Sequence, residues 1–204
     1  MKNIPFLKDA LILCAITLVA GVLLGAVNDI TQEPIAQAQI AAKVAAYRTV
    51  YADAADFSAD SELSGKVKEA SGPVQAAGLG SVTIDDAVLA KDAGGRTIGY
   101  VVTATSKEGY GGDVTVSVGV TLDGEITGIE FPAGLSETPG LGMRATEPTF
   151  KDQFKGKSAG KLTPVKGGGA GGEEIDAMNG ATITSTAVTG AVNAALYFVA
   201  NHVG

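Results

Sequence analysis

From Ala10 to Asn28 the chain runs through nineteen residues without a charge, ALILCAITLVAGVLLGAVN. As an α-helix that stretch is roughly 28 Å long, at about 1.5 Å per residue, which matches the hydrocarbon thickness of a bilayer. It also exceeds the apolar region of an ordinary signal peptide. Lys2 and Lys8 lie before it, and Asp29 and Glu33 are the first charges after it. Positive charge is retained on the cytoplasmic side, so residues 1–9 read as a cytoplasmic tail and 10–28 as a single transmembrane helix. Everything after Asn28 then lies outside. Ala36-Gln37-Ala38 has the form of a signal-peptidase site, but the long apolar run argues for a retained anchor. Cys14 follows Leu13, which is too large for lipoprotein processing, so Cys14 reads as an ordinary membrane-helix residue.

A chain of 204 residues leaves room for one domain beyond that anchor. Acidic residues outnumber basic ones, 22 to 15, which argues against nucleic acid as a partner, because phosphate neutralisation needs clustered Lys and Arg. One Cys and one His are present. They exclude a disulfide framework, and a zinc, iron–sulfur or bis-His haem site made by this chain alone. No metal site is expected, and any redox chemistry needs an organic cofactor or a partner's metal.

The exported part reads as α+β, an antiparallel sheet with flanking helices and one covered face. Pro34 suits a first helical turn, and Ile40, Val44, Tyr47 and Tyr51 recur at helical spacing, continuing from the span. Residues 52–80 are rich in Ala, Gly, Ser and charge, and read as loop with a short helix. Stretch 29–80 is therefore taken as a linker helix and loop, and 81–204 as the domain. Strands are expected at 82–84, 87–90, 97–104, 114–120 and 126–131, with turns at Asp92-Ala93-Gly94-Gly95 and Asp123-Gly124. Phe150 and Phe154 follow Pro148 at i,i+4 spacing on a short helix, Gly167 to Gly172 form a glycine-rich loop, and a last helix is expected over about 184–202. Gly156-Lys157-Ser158 lacks the earlier glycine of a P-loop, since position 151 is Lys. The glycine run lacks the spacing of a dinucleotide fingerprint. His202 reads as a solvated terminal residue.

Three segments exceed what a plain domain requires. Glu108-Gly109-Tyr110-Gly111-Gly112-Asp113 lies between two strands; its glycines either make a hairpin turn or admit a flat ligand close to the backbone. Ser136-Glu137-Thr138-Pro139-Gly140-Leu141-Gly142-Met143 is either a plain Pro-Gly turn or a wall. As a wall, Glu137 and Thr138 would meet a polar ring edge, and Leu141 and Met143 would give apolar surface. Asp176-Ala177-Met178-Asn179-Gly180-Ala181-Thr182-Ile183-Thr184-Ser185-Thr186 leads into the last helix. Thr184, Ser185 or Thr186 would cap that helix, and its free N–H groups would face a phosphate.

Together these segments resemble the membrane-anchored FMN-binding subunits of the Rnf electron-transport complex (RnfG). They are also similar to the relatives of those subunits in the sodium-translocating NADH:quinone reductase (NqrC). The resemblance rests on the span, on GYGG at 109–112, on ETPGLG at 137–142 and on an Asp-x-x-(Ser/Thr)-Gly-Ala-Thr motif at Asp176 to Thr182, with Asn179 in place of Ser or Thr. It implies FMN bound as a phosphoester of Thr182, attached by a separate flavin transferase that uses FAD. Around it the resemblance implies cofactor contacts from Asp176, Asn179, Gly180, Ala181 and Thr184, from Tyr110, Gly111 and Gly112, and from Glu137, Thr138, Pro139, Gly140, Leu141 and Gly142. No general acid or base is expected. The implied activity is electron relay in an ion-translocating ferredoxin:NAD oxidoreductase in the bacterial inner membrane, alongside other membrane and iron–sulfur subunits. The alternatives are a quinone-reductase subunit and a cofactor-free tethered binding module. Residues agree with the flavin: without Cys, the exported domain holds no cluster and no c-type haem.

Overall fold

The structure is a computed structural model that describes residues 5–158 and 160–203. The chain divides into two compact units, Met1–Ala41 and Ala42–Gly204. Helix α1 (Pro5–Val50) begins in the first and ends in the second. Its apolar window is long enough to cross a membrane and none of it is buried. Thr17 and Thr31 donate back to the carbonyls of Leu13 and Val27 at 3.0 and 2.8 Å, the bonding a hydroxyl adopts where water is absent. Pro34, expected in a first turn, lies inside α1, so one backbone donor is missing there.

In the second unit, β1 (Asp56–Ala59), β2 (Val82–Lys91), β3 (Thr97–Ser106), β4 (Val114–Thr121) and β5 (Ile126–Glu130) form an antiparallel sheet in chain order. Asp92 holds the turn after β2. It accepts N–H bonds from Gly94 and Arg96 and pairs with the Arg96 guanidinium. The Arg96 backbone bond is the main reason its carboxyl sits below the usual range. Asp123-Gly124 turns β4 into β5 as expected. Residues 52–80, expected as loop with a short helix, instead supply β1 and α2 (Ser61–Ala76), which packs on β2.

Val114, Val116, Val118 and Val120 alternate onto one face and are fully buried. Opposite them lies α4 (Thr182–Phe198), which contributes Val188, Ala191, Val192 and Ala195. The helix starts two residues before the expected Thr184 and gives way to a π-helical turn at Val199–Val203. His202 is not simply solvated: its ring stacks on Phe198, centroids 5.7 Å apart. Buried Asn193 fixes α4 to the preceding chain by bonding both the N–H and the carbonyl of Leu162 at 2.9 Å.

The second face of the sheet was expected to be open, and the end of α1 covers part of it. Tyr47, Val50 and Tyr51 pack on Val88, Ala90 and Val101. A register shift lets Ile84 pair with Ala104 and Asp86 with Thr103, leaving Asp85 as the extra residue of a bulge. Asp86 thereby meets Lys43 at 2.8 Å and accepts from Tyr47 Oη at 3.0 Å. Burial, with the Asp86 charge, pushes the Tyr47 phenol far above its ordinary range, so it stays a donor. Gly119 admits this helix end, since a methyl there would lie 2.6 Å from Val50 O.

After β5 the chain makes a 3-10 turn at Gly142–Thr146, α3 (Pro148–Lys151) and a second 3-10 turn at Asp152–Phe154. Phe150 and Phe154 are buried edge-to-face, centroids 5.5 Å apart. Short strands β6 (Thr163–Val165) and β7 (Glu174–Asp176) pair in parallel, with the glycine-rich loop between them.

Candidate functional site

A tight turn carries the chain from β7 into α4. Ala181 N–H bonds Met178 O at 3.0 Å, and Gly180 has φ +78°. Ser185, fully buried, accepts from Met178 N–H at 3.0 Å and donates to Ala181 O at 2.9 Å. It thus pins the turn and does not cap the helix. The N-cap position belongs to Ala181, and no side chain caps α4, against the expectation of a hydroxyl cap. The first intrahelical bond starts from Ser185 N–H, so the amides of Thr182, Ile183 and Thr184 point free of the helix.

Those residues line a cavity of about 470 Å³ with Gly180, Ala181, Tyr110, Glu137, Thr138, Leu141 and Gly142. The volume falls within the range of about 300–1,000 Å³ usual for small-molecule and cofactor sites. Leu141, Tyr110 and Ile183 are exposed large apolar side chains, and they rim its opening. Among the described residues no Lys or Arg lines it, and Glu137 is the one carboxylate. An anion there meets the α4 amides and its positive dipole end. Two threonines face the cavity differently: Thr184 is 1% exposed, whereas Thr182 is half-buried.

The two loops opposite α4 hold each other. Buried Glu137 accepts the Tyr110 and Gly111 N–H groups through Oε1 at 2.9 and 3.2 Å. A methyl on Gly111 would lie 1.8 Å from Ser136 O, and one on Gly142 2.6 Å from Glu137 Oε2 and 2.7 Å from Thr184 Oγ1. Gly111 therefore serves contact between the two loops, where close approach of a flat ligand was expected. Glu137 likewise turns one oxygen to backbone amides.

Of the expected contact residues, Gly111, Gly112, Pro139 and Gly140 stand behind the lining and shape it. Asp176 and Asn179 lie away from it, on a second cavity of about 420 Å³ with Arg144, Gln153, Gly167 and Gly168. The Asp176 carboxylate accepts the Gly169 and Ala170 N–H groups at 3.2 and 3.1 Å. Its backbone N–H donates to Gln153 Oε1 at 2.7 Å. In this way the acidic residue of the motif orders the glycine-rich loop beside the turn. Ile183 and the pinning Ser185 went unread as site residues; an exposed Ile beside small residues was the signal for the first.

Gly180 needs the left-handed region, and a Cβ there would lie 3.1 Å from Leu141 Cδ2. Gly180→Ala is expected to lower stability by about 1–2 kcal/mol, measured as a fall in the denaturant midpoint at unchanged slope.

Residues 109–197 match the FMN-binding domain family, and residues 1–50 match the RnfG N-terminal region. The chain is 37% identical over 200 residues to the RnfG-type subunit of the Na(+)-translocating ferredoxin:NAD(+) oxidoreductase complex of Acetobacterium woodii, covering 95% of this chain and 91% of the relative. It is 36% identical over 198 residues to the corresponding subunit of the proton-translocating ferredoxin:NAD(+) oxidoreductase complex of Clostridium ljungdahlii, covering 97% and 91%. Among solved structures, NqrC of Shewanella oneidensis is similar over 52% of each chain, with 29% identity and a TM-score of 0.46.

Proposed function

Because the chain belongs to the RnfG family of ion-translocating ferredoxin:NAD(+) oxidoreductase complexes and carries its FMN-binding domain, we propose that it relays electrons through FMN held covalently on Thr182. The observation that carries the attachment is the contrast between the two cavity threonines. Thr182 presents a half-buried hydroxyl at the start of α4, while Thr184 is buried against Gly142 and out of a transferase's reach. Transfer from FAD joins the Thr182 oxygen to the FMN phosphorus, and AMP leaves with the bridging oxygen.

Bound there, FMN would supply one- and two-electron redox chemistry. The chain's own residues bind and orient it. Amides of Thr182, Ile183 and Thr184 face the phosphate, Leu141, Ile183 and Tyr110 offer apolar surface to the ring, and Thr138 offers a polar contact. None is placed to move a proton. Full-length protein co-produced with a flavin transferase is expected to be yellow and to keep its flavin through denaturation; a colourless product would overturn the reading. The ferredoxin:NAD relatives match nearly the whole chain, so the quinone-reductase alternative is set aside, and the FMN-binding match removes the cofactor-free module.

The partners proposed are the other membrane and iron–sulfur subunits of such a complex. The proposed topology has a single span at 10–28, the N-terminus in the cytoplasm and the flavin domain outside, supported by Lys2 and Lys8 ahead of the uncharged run. A cysteine introduced at exposed Leu122, in a Cys14→Ser background, is expected to react with an impermeant thiol reagent in intact cells. Reaction only after lysis would reverse the orientation.

A further inference from the structure

Glu137 is a buried carboxylate, 8% exposed, in a cavity whose described lining residues include no cation. A buried charge of that kind is costly unless hydrogen bonds hold it. Here they come from the backbone of the facing loop, from Tyr110 and Gly111. Its other oxygen is turned toward the space between Gly142 and Thr184. Among the described residues no other side-chain bond joins these two loops, and Tyr110, otherwise 71% exposed, stands at the cavity mouth where this tie puts it.

We infer that Glu137 is the positioning residue of the site, with two separable effects. Its Oε1 anchors the 109–112 loop and so holds the Tyr110 ring over the bound flavin. Its negative charge, unopposed by any cation among the described lining residues, makes the flavin harder to reduce, since an electron added nearby is repelled in a low-dielectric setting. This rests on the flavin reading above, and the flavin content of the unsubstituted protein tests that reading by itself.

The experiment uses full-length protein co-produced with the transferase, with covalent flavin verified by mass in every variant. Two quantities are read: flavin fluorescence, which a tyrosine on the ring quenches, and the flavin reduction potential. Glu137→Gln keeps an oxygen for the two amides and removes the charge; it is expected to leave fluorescence unchanged and shift the potential to a more positive value. Glu137→Ala loses both functions, so fluorescence rises and the potential shifts in the same direction. Gly111→Ala drives a methyl against Ser136 O and parts the loops while sparing the carboxylate, and fluorescence rises. If Glu137→Ala fails to accumulate, the other two variants still read each effect separately. Unchanged potential in Glu137→Gln overturns the electrostatic role. Unchanged fluorescence in Gly111→Ala or Glu137→Ala, with flavin present, overturns the anchoring role.

Discussion

Thr182→Ala is expected to abolish covalent flavin completely, leaving no fluorescent band on a denaturing gel, with the fold intact. The hydroxyl it removes belongs to no cap and to none of the bonds that close the turn: those run through Met178, Ala181 and Ser185. Losing it therefore costs at most about 1 kcal/mol, and the melting curve should barely move. Thr184→Ala is the control. That side chain is 1% exposed, so its truncation should lower stability and leave the flavin in place. Thr182→Ser keeps a hydroxyl and is expected to retain part of the modification. Mass spectrometry of a peptide containing residues 176–186 should show the FMN increment on Thr182; an increment on Thr184, or none, would sink the assignment.

The second large effect concerns the end of α1. A chain starting at Ala42 is expected to melt cooperatively, and one starting at Ala52 to unfold or aggregate. The shorter chain loses Tyr47, Val50 and Tyr51, all at or below 5% exposure. Large apolar side chains contribute about 1.5–3 kcal/mol each on burial, so the loss is on the order of 5 kcal/mol, against a total domain stability of about 5–15 kcal/mol. It also strips Lys43 and Tyr47 from Asp86 and Tyr51 Oη from Ile98 O, leaving Val88 and Val101 uncovered. Tyr47→Phe in the longer chain is milder, about 1 kcal/mol, because Lys43 still meets Asp86. Equal melting of the two truncated chains would refute the role of the helix end.

Much of this arrangement was legible where the pattern is local. The uncharged run needed only counting, and Val114 to Val120 alternate so regularly that strand and buried face follow together. Asp123-Gly124 named its own turn. What escaped depends on contacts between distant residues. The stretch holding β1 and α2 has few apolar residues, so its periodicity is faint, and only docking on β2 makes it regular. Tyr47 and Tyr51 read as a helix stripe, but nothing nearby in sequence tells that their partners lie on the far face of the sheet. Gly111 looked open to a ligand because Ser136, which fills that space, is in another loop. The hydroxyls of 184–186 looked like caps, yet Ser185 reaches back to Met178. Thr182, Gly180, Leu141 and Glu137 were legible through their motifs, and the loop-to-loop role of Glu137 was not.

The strands of the sheet follow chain order, β1 to β5, and this has a bearing on when the protein can be modified. As synthesis proceeds, each new strand finds its neighbour already made, which keeps loop closures short and folding quick. Two closures break that rule. Val50 O must wait for Thr127, 77 residues later, to donate to it, and α4, which roofs the same sheet, is made near the end. Thr182 opens that last helix, while Tyr110 and Glu137 across the cavity are made well before it. A growing chain therefore has no cavity and no ordered acceptor. The flavin transferase meets its substrate only after the ribosome has finished, when the molecule has reached its final shape.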